Sequence, residues 1–247
     1  MKILIIIPAY NEEESIEKVV DNLTENFPQY DYLVVNDCST DSTEEILRRR
    51  GYNHISLPVN LGIGGAVQSG YLYATQNDYD IAIQIDGDGQ HDPAYIEKLI
   101  QPIVNGEADM AVGSRFIEKQ GFQTSFMRRL GINLIRVIIK MCCGVNATDT
   151  TSGFRASSKE LNAVFAREYA QDYPEPEAIV AASLKGFRVT DVPVRMKERE
   201  GGVSSINATK SLYYMIKVSI ALILLRIGTR RKKTEKVKKQ KAKKGGK

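Results

Sequence analysis

The run Ile3-Leu4-Ile5-Ile6-Ile7, closed by Pro8, constrains this chain most. It has the length of a strand and lacks the polar–apolar alternation of a strand with one wet face. Such a run reads as a central strand buried on both sides, which requires helices above and below it. Together with Met1 and Lys2 it is too short for a signal peptide, and the proline stops it. A cytosolic location is the expectation.

The pattern then repeats. Asn11, a favourable N-cap, and the acids Glu12 to Glu14 predict a helix start, with Ile16, Val19, Val20 and Leu23 on its buried face. Tyr32 to Val35 reads as a second strand, and Asp41 or Thr40 can cap the helix bearing Ile46 and Leu47. His54 to Leu57 is a short third strand, in which His54 reads as an ordinary strand residue. Ile81 to Ile85 is a fourth strand, a helix follows from about Pro93, and Ala108 to Gly113 is a fifth strand. Strands alternating with helices from residue 2 to 114 predict an α/β fold, a mostly parallel sheet with helices on both faces. Phe187 to Val194 adds a late strand.

Carboxylates and glycines fall where such a sheet binds ligands, beyond the carboxyl ends of its strands. Asp86-Gly87-Asp88 follows the fourth strand. The glycine lets two carboxylates converge on a hard cation such as Mg²⁺ or Mn²⁺, which favours oxygen ligands and bridges to phosphates. A plain Asp/Gly turn explains the same residues equally well. Asp37 ends the second strand, where it can accept an N–H from a base or serve the turn. Gly62, Gly64 and Gly65 open a helix and permit close approach to a phosphate or sugar. They do not complete a dinucleotide fingerprint, because Val67 stands where its third small residue belongs. Asp149 lies in a second polar turn, and Glu175 and Glu177 lie where helix capping alone accounts for them.

Charge is unevenly distributed along the 247 residues. Residues 230–247 hold eleven Lys/Arg against Glu235 alone, so about +10 sits in that tail and about −6 in residues 1–229. Just before the tail, Leu212 to Ile227 is the most hydrophobic helical stretch, interrupted by Lys217 and Arg226. It lacks the unbroken apolar length needed to span a bilayer. Aromatics at one end and a polybasic tail at the other suit a helix lying on an anionic leaflet, and a buried helix with a disordered tail is the plainer alternative. The tail alone does not imply nucleic-acid binding, since no folded motif for it is present. The helix opened by Arg128 and Arg129 is also apolar beyond a single stripe, as a deeply buried or membrane-touching helix would be. Three cysteines, Cys38, Cys142 and Cys143, offer neither a disulfide framework nor zinc spacing.

Taken together, residues 2–206 resemble the GT-A, family 2 glycosyltransferases. The resemblance rests on Pro8-Ala9-Tyr10-Asn11-Glu12, Asn36-Asp37-Cys38-Ser39-Thr40-Asp41, Asn60-Leu61-Gly62, Asp86-Gly87-Asp88 and Gly113-Ser114-Arg115, in that order. Gln90-His91, Thr151-Ser152-Gly153-Phe154-Arg155 and the segment from Arg199 to Ser205 are similar to the branch typified by dolichol-phosphate mannose synthases. The resemblance implies a GT-A domain over 1–206, and the residues after it read as an amphipathic membrane-associating helix over 207–229 and a disordered polybasic tail over 230–247. It implies that Pro8, Tyr10, Glu12, Asp37 and Gly62 hold the nucleotide, that Asp86 and Asp88 bind Mg²⁺ or Mn²⁺ with Gln90 as a further ligand, and that Arg199 and Ser204 contact the donor diphosphate. Arg115 with Arg128 or Arg129 would bind an acceptor phosphate.

The implied reaction is inverting transfer from a nucleotide-sugar donor to polyprenyl phosphate at the cytoplasmic face of a membrane. The alternative is extension of a lipid-linked or cell-wall glycan at a sugar hydroxyl, which would need a base, with Asp149, Glu175 and Glu177 as candidates. An inactive nucleotide-sugar-binding scaffold, a nucleotidyltransferase and a nicotinamide-dependent oxidoreductase are the competing classes. Two departures stand out: Asn36 where the family often has an acid, and Ser205 where the lipid-phosphate branch usually has Lys. Many bacterial relatives continue into transmembrane helices, so a separate small membrane-protein partner is a further expectation.

Overall fold

A computed structural model describes residues 1–118, 126–197 and 215–229. Seven strands form one sheet: β1 (Ile3–Ala9), β2 (Asp31–Asn36), β3 (His54–Ser56), β4 (Ile81–Gln84), β5 (Met110–Ser114), β6 (Arg155–Ser158) and β7 (Val189–Pro193). Their spatial order is β3-β2-β1-β4-β6-β5-β7. The helices are α1 (Ile16–Asn26), α2 (Thr43–Arg50), α3 (Gly62–Gln76), α4 (Ile96–Val104), α5 (Phe126–Cys143), α6 (Lys159–Phe165) and α7 (Pro174–Leu184). A last helix, α8, covers 215–229.

Every residue of β1 is buried, as its unbroken apolar run requires. Successive side chains point to opposite faces. Leu4 and Ile6 join one core with α3, α5, α6, α7 and α8, while Ile5 and Ile7 join another with α1, α2 and α4. Each such fully buried aliphatic side chain contributes roughly 1.5–3 kcal/mol.

β1 to β4 run parallel, so the ends carrying Tyr10, Asp37 and Asp86 share one edge of the sheet. The expected mostly parallel sheet is present, with one strand the sequence pattern did not disclose. β6 is inserted antiparallel between β4 and β5, opposing Arg155 to Gln84 on one side and Val112 on the other. Its sequence, Arg-Ala-Ser-Ser, carries no apolar run and no alternation, yet all four residues are buried. Because it runs backwards, it begins where β4 and β5 end, and this brings the 149–154 turn to the ligand edge. α6, a short helix of seven residues, likewise has no marked sequence signature.

Two capping expectations are corrected. Asn11 does not cap α1, which begins after Ser15. It adopts a left-handed conformation (φ 56°), which Asn tolerates, and its side-chain oxygen accepts from the Thr40 N–H at 2.8 Å, tying the β1 turn to the β2 turn. Asp41 does not occupy the N-cap of α2, which is Ser42, although its carboxylate accepts from the N–H of Thr43 at 3.0 Å.

The C-terminal helix is not an appendage. Val218 and Leu222 are fully buried in the core, and the Cys142 thiol lies 3.7 Å from the Leu222 carbonyl. Met215 packs against Gly131 of α5 so closely that a methyl group there would collide with its sulfur. No helix among the described residues is long and apolar enough to cross a membrane.

Candidate active site

Three turns converge at the carboxyl ends of β1, β2 and β4. Asp37 is buried and its N–H donates to the Ala9 carbonyl at 2.9 Å. Its Oδ1 accepts from the Leu61 N–H at 2.7 Å, so this carboxylate caps α3, where the helix dipole favours a negative charge. The neighbouring Asn36 is engaged elsewhere. It donates to Glu44 at 2.6 Å and accepts from the Ser39 N–H at 3.1 Å. An acid at position 36 would face the Glu44 carboxylate, which accounts for Asn at this position and leaves Asp37 as the carboxylate of the pair. Gly62 follows at the start of α3 with φ 75°, and its N–H donates to Asn60.

The β4 turn presses against the β1 turn. A side chain at Gly87 would come within 3.2 Å of the Pro8 carbonyl and 3.5 Å of Glu12. Tyr10 is 47% exposed at the rim. The Asp86 side chain remains 34% exposed, and its Oδ1 accepts from the Gln84 side chain at 3.0 Å. His91, buried and stacked on Phe154 at 5.1 Å, accepts the Asp86 N–H on Nδ1 at 3.0 Å, which leaves Nε2 to carry the ring proton. Asp88 is buried and accepts the Gln90 N–H at 3.0 Å. Gly153 packs directly on the Asp86 carboxylate: a methyl group there would lie 2.6 and 2.7 Å from its two oxygens.

His91 and Gly153 stand in segments that carry the family resemblance but have no role assigned from the sequence, and Gln84 reads there only as part of the fourth strand's run. Gln84 had a readable signal, a lone amide inside the apolar run Ile81 to Ile85. For Gly153 the motif gave no hint of its contact with Asp86, because that partner is 67 residues away.

Among the described residues no group of three His, Cys, Asp or Glu surrounds a metal position. Two carboxylates on one turn still suit Mg²⁺ or Mn²⁺, which commonly take one or two protein carboxylates and complete their shell with water and substrate phosphates.

The β5 end holds a buried ion pair. Arg115 Nε lies 2.6 Å from Asp149 Oδ2 and Nη2 3.3 Å from Oδ1. Asp149 is 0% exposed and also accepts from Thr151. Its carboxylate is committed to Arg115 and Thr151, an arrangement suited to orienting Arg115 rather than to taking a proton. Glu177 is placed elsewhere. It lines a cavity of about 480 Å³ with Phe165, Tyr169, Ala178, Leu184 and Leu224, and none of Asp86, Asp88 or Arg115 borders that cavity. Desolvation, with a smaller push from Asp172, raises the Glu177 pKa. The third candidate, Glu175, gives its main-chain carbonyl to Arg155 at 3.0 Å.

Arg115 and Arg129 approach the Phe116 ring, each guanidinium 5.4 Å from its centre, so two cations flank one aromatic. Arg199, Ser204 and the side chain of Arg128 lie outside the described residues.

The model of glycosyl transferase family 2 matches residues 4–165. The UDP-N-acetylglucosamine–dolichyl-phosphate N-acetylglucosaminyltransferase of Methanococcus voltae is 31% identical, over 92% of this chain and 96% of that one. The polyprenol monophosphomannose synthase of Mycolicibacterium smegmatis is 30% identical, over 87% of this chain and 85% of that one. Among solved structures, glucosyl-3-phosphoglycerate synthase from Mycobacterium tuberculosis, with Mn²⁺, UDP-glucose and phosphoglyceric acid, superposes with a TM-score of 0.69. That likeness, at 22% identity, covers 92% of this chain and 80% of the other and supports the GT-A fold.

Proposed function

The chain belongs to glycosyl transferase family 2, and we propose that it moves a sugar from a nucleotide-diphosphate donor to a polyprenyl phosphate at the cytoplasmic surface of a membrane, with inversion. One observation carries the lipid acceptor. Leu130, Leu134, Val137 and Met141 on α5 are exposed at intervals of four, three and four residues. Ile216, Ile220, Ile223 and Ile227 on α8 repeat the same interval and are also exposed. Each is a complete apolar stripe on one helix face. The two helices touch through Gly131 and Met215. Paired apolar faces beside a polybasic tail suit an anionic leaflet, where an enzyme meets a lipid-borne acceptor. The names of the two relatives, both acting on dolichyl or polyprenyl phosphate, support this reading.

The residues divide the work as follows. Asp37 addresses the base, and the turn of Pro8, Tyr10 and Glu12 supports the nucleotide with Gly62. Asp86 and Asp88 hold Mg²⁺ or Mn²⁺, and Gln90 is the third candidate ligand. The bound metal would neutralise charge on the leaving diphosphate. Arg115 and Arg129, flanking Phe116, attract the acceptor phosphate. An acceptor that is already an anion needs no base, which agrees with Asp149 locked on Arg115 and Glu177 lining another cavity. A sugar hydroxyl acceptor, as in glycan extension, would need one.

The test is incubation of the purified chain with radiolabelled nucleotide sugars and Mn²⁺, with and without polyprenyl phosphate. The expected product is label in the lipid extract with release of a nucleoside diphosphate. Release of pyrophosphate would identify a nucleotidyltransferase, and label on a glycan alone would favour a hydroxyl acceptor.

A further inference from the structure

Arg155 is 0% exposed, at the start of the one strand the sequence pattern did not disclose. Its guanidinium hydrogen-bonds only to main-chain carbonyls among the described residues. Nε donates to the Ser152 carbonyl at 3.1 Å, Nη2 donates to the same oxygen, and Nη1 donates to the Glu175 carbonyl at 3.0 Å. A buried cation paired only with neutral carbonyls is costly to keep. The planar fork of donors lets one side chain hold two carbonyls in different directions, which an ammonium on a flexible stem does less well.

The Ser152 carbonyl belongs to the peptide that leads into Gly153. That glycine stands directly behind Asp86, at a distance no side chain could share. The same carboxylate accepts a hydrogen bond from Gln84, whose register partner across the sheet is Arg155 itself.

We propose that Arg155 is a positioning residue for the metal site: it clamps the Ser152–Gly153 peptide between β6 and the first turn of α7, and this peptide is the backstop that fixes the Asp86 carboxylate. The inference rests on the reading of Asp86 and Asp88 as metal ligands. Groups that orient metal ligands from behind typically account for 10- to 100-fold in metal affinity.

The experiment measures Mn²⁺ binding to the intact chain by electron paramagnetic resonance, alone and with UDP or GDP, beside the thermal melting point of each variant. Arg155→Met is expected to weaken Mn²⁺ binding at least tenfold, and Arg155→Lys to recover part of the loss. Gly153→Ala, which leaves the buried cation in place, is expected to weaken binding to a similar degree by displacing the Asp86 side chain. It remains decisive if Arg155→Met does not fold. A lowered melting point in Arg155→Met with wild-type Mn²⁺ affinity overturns the proposal, as does wild-type affinity in Gly153→Ala. Asp88→Asn separates the two levels: if it binds Mn²⁺ normally, the metal assignment itself fails, whereas if it loses Mn²⁺ and Arg155→Met does not, only the role of Arg155 fails.

Discussion

Arg115 grips Asp149 with two of its nitrogens, at 2.6 and 3.3 Å, and both side chains are buried. The pair joins the end of β5 to the turn that precedes β6. The sequence makes both residues candidates for chemistry. The geometry makes Asp149 the anchor that sets the direction of Arg115. Removing one partner of a buried pair strands the other charge, so Arg115→Ala should cost about 3–5 kcal/mol of stability. Urea unfolding monitored by circular dichroism measures this, and a loss below about 1 kcal/mol would mean that the pair is not a structural tie.

Asp86 and Asp88 lie in the turn beyond β4, outside the strand pairing, and an amide at position 88 keeps the oxygen that accepts from the Gln90 N–H. Asp88→Asn should therefore leave the fold intact while transfer falls about 10²-fold or more, the scale expected when charge stabilisation of a leaving group is removed. Initial rates across a Mn²⁺ titration are the measurement. A variant with full activity and unchanged metal dependence would remove Asp88 from the site.

The outer stripes of α5 and α8 allow a cleaner test of membrane contact than truncation does. Deleting α8 would uncover the core around Val218 and Leu222. Leu134→Glu with Ile220→Glu changes only exposed positions. The doubly substituted chain should keep its melting point and lose most of its co-sedimentation with phosphatidylserine-containing vesicles. Undiminished sedimentation would show that the apolar faces do not meet the lipid.

Glu44 predicts a pH effect. Partial burial opposes its ionisation, but donation from Ser56, Arg48 and Asn36 and the charge of Arg48 outweigh it, holding the carboxyl down at about 2 against an ordinary 4.5. A depressed acid stabilises the fold fully above its unfolded value and loses that contribution as pH falls through its folded one. The melting-point difference between wild type and Glu44→Gln should thus be constant above about pH 5 and shrink between about 4.5 and 2. A difference that does not change with pH would contradict the network.

Glu177 shows the opposite sign. Desolvation, with Asp172 nearby, raises its pKa, so ionising it costs more in the folded chain than in the unfolded one. Stability should fall as pH rises above the ordinary value of about 4.5 and on through the raised one. Glu177→Gln should accordingly melt higher than wild type at pH 8, with the advantage vanishing in acid. Equal melting points at both pH values would mean that the cavity is wet.

Much of this protein is local and therefore legible in one dimension. The unbroken run of β1, the apolar faces of α1 and α4, and the acids and glycines after β1, β2 and β4 are patterns set by backbone periodicity and turn chemistry. They determined the α/β class, the parallel strands and the edge at which Asp37, Asp86 and Asp88 meet. They also marked the two apolar helices that became α5 and α8. What the tertiary structure alone decided is whatever depends on one antiparallel insertion. β6 has no hydrophobic signature, because small and polar side chains suffice for a strand enclosed by β4 and β5 and covered on both faces. Its reversed direction delivers Gly153 to Asp86, Asp149 to Arg115 and Arg155 to α7. Those contacts join residues 20 to 67 positions apart in the chain. No local rule of propensity or spacing acts over such distances; only the closing of the sheet brings them together.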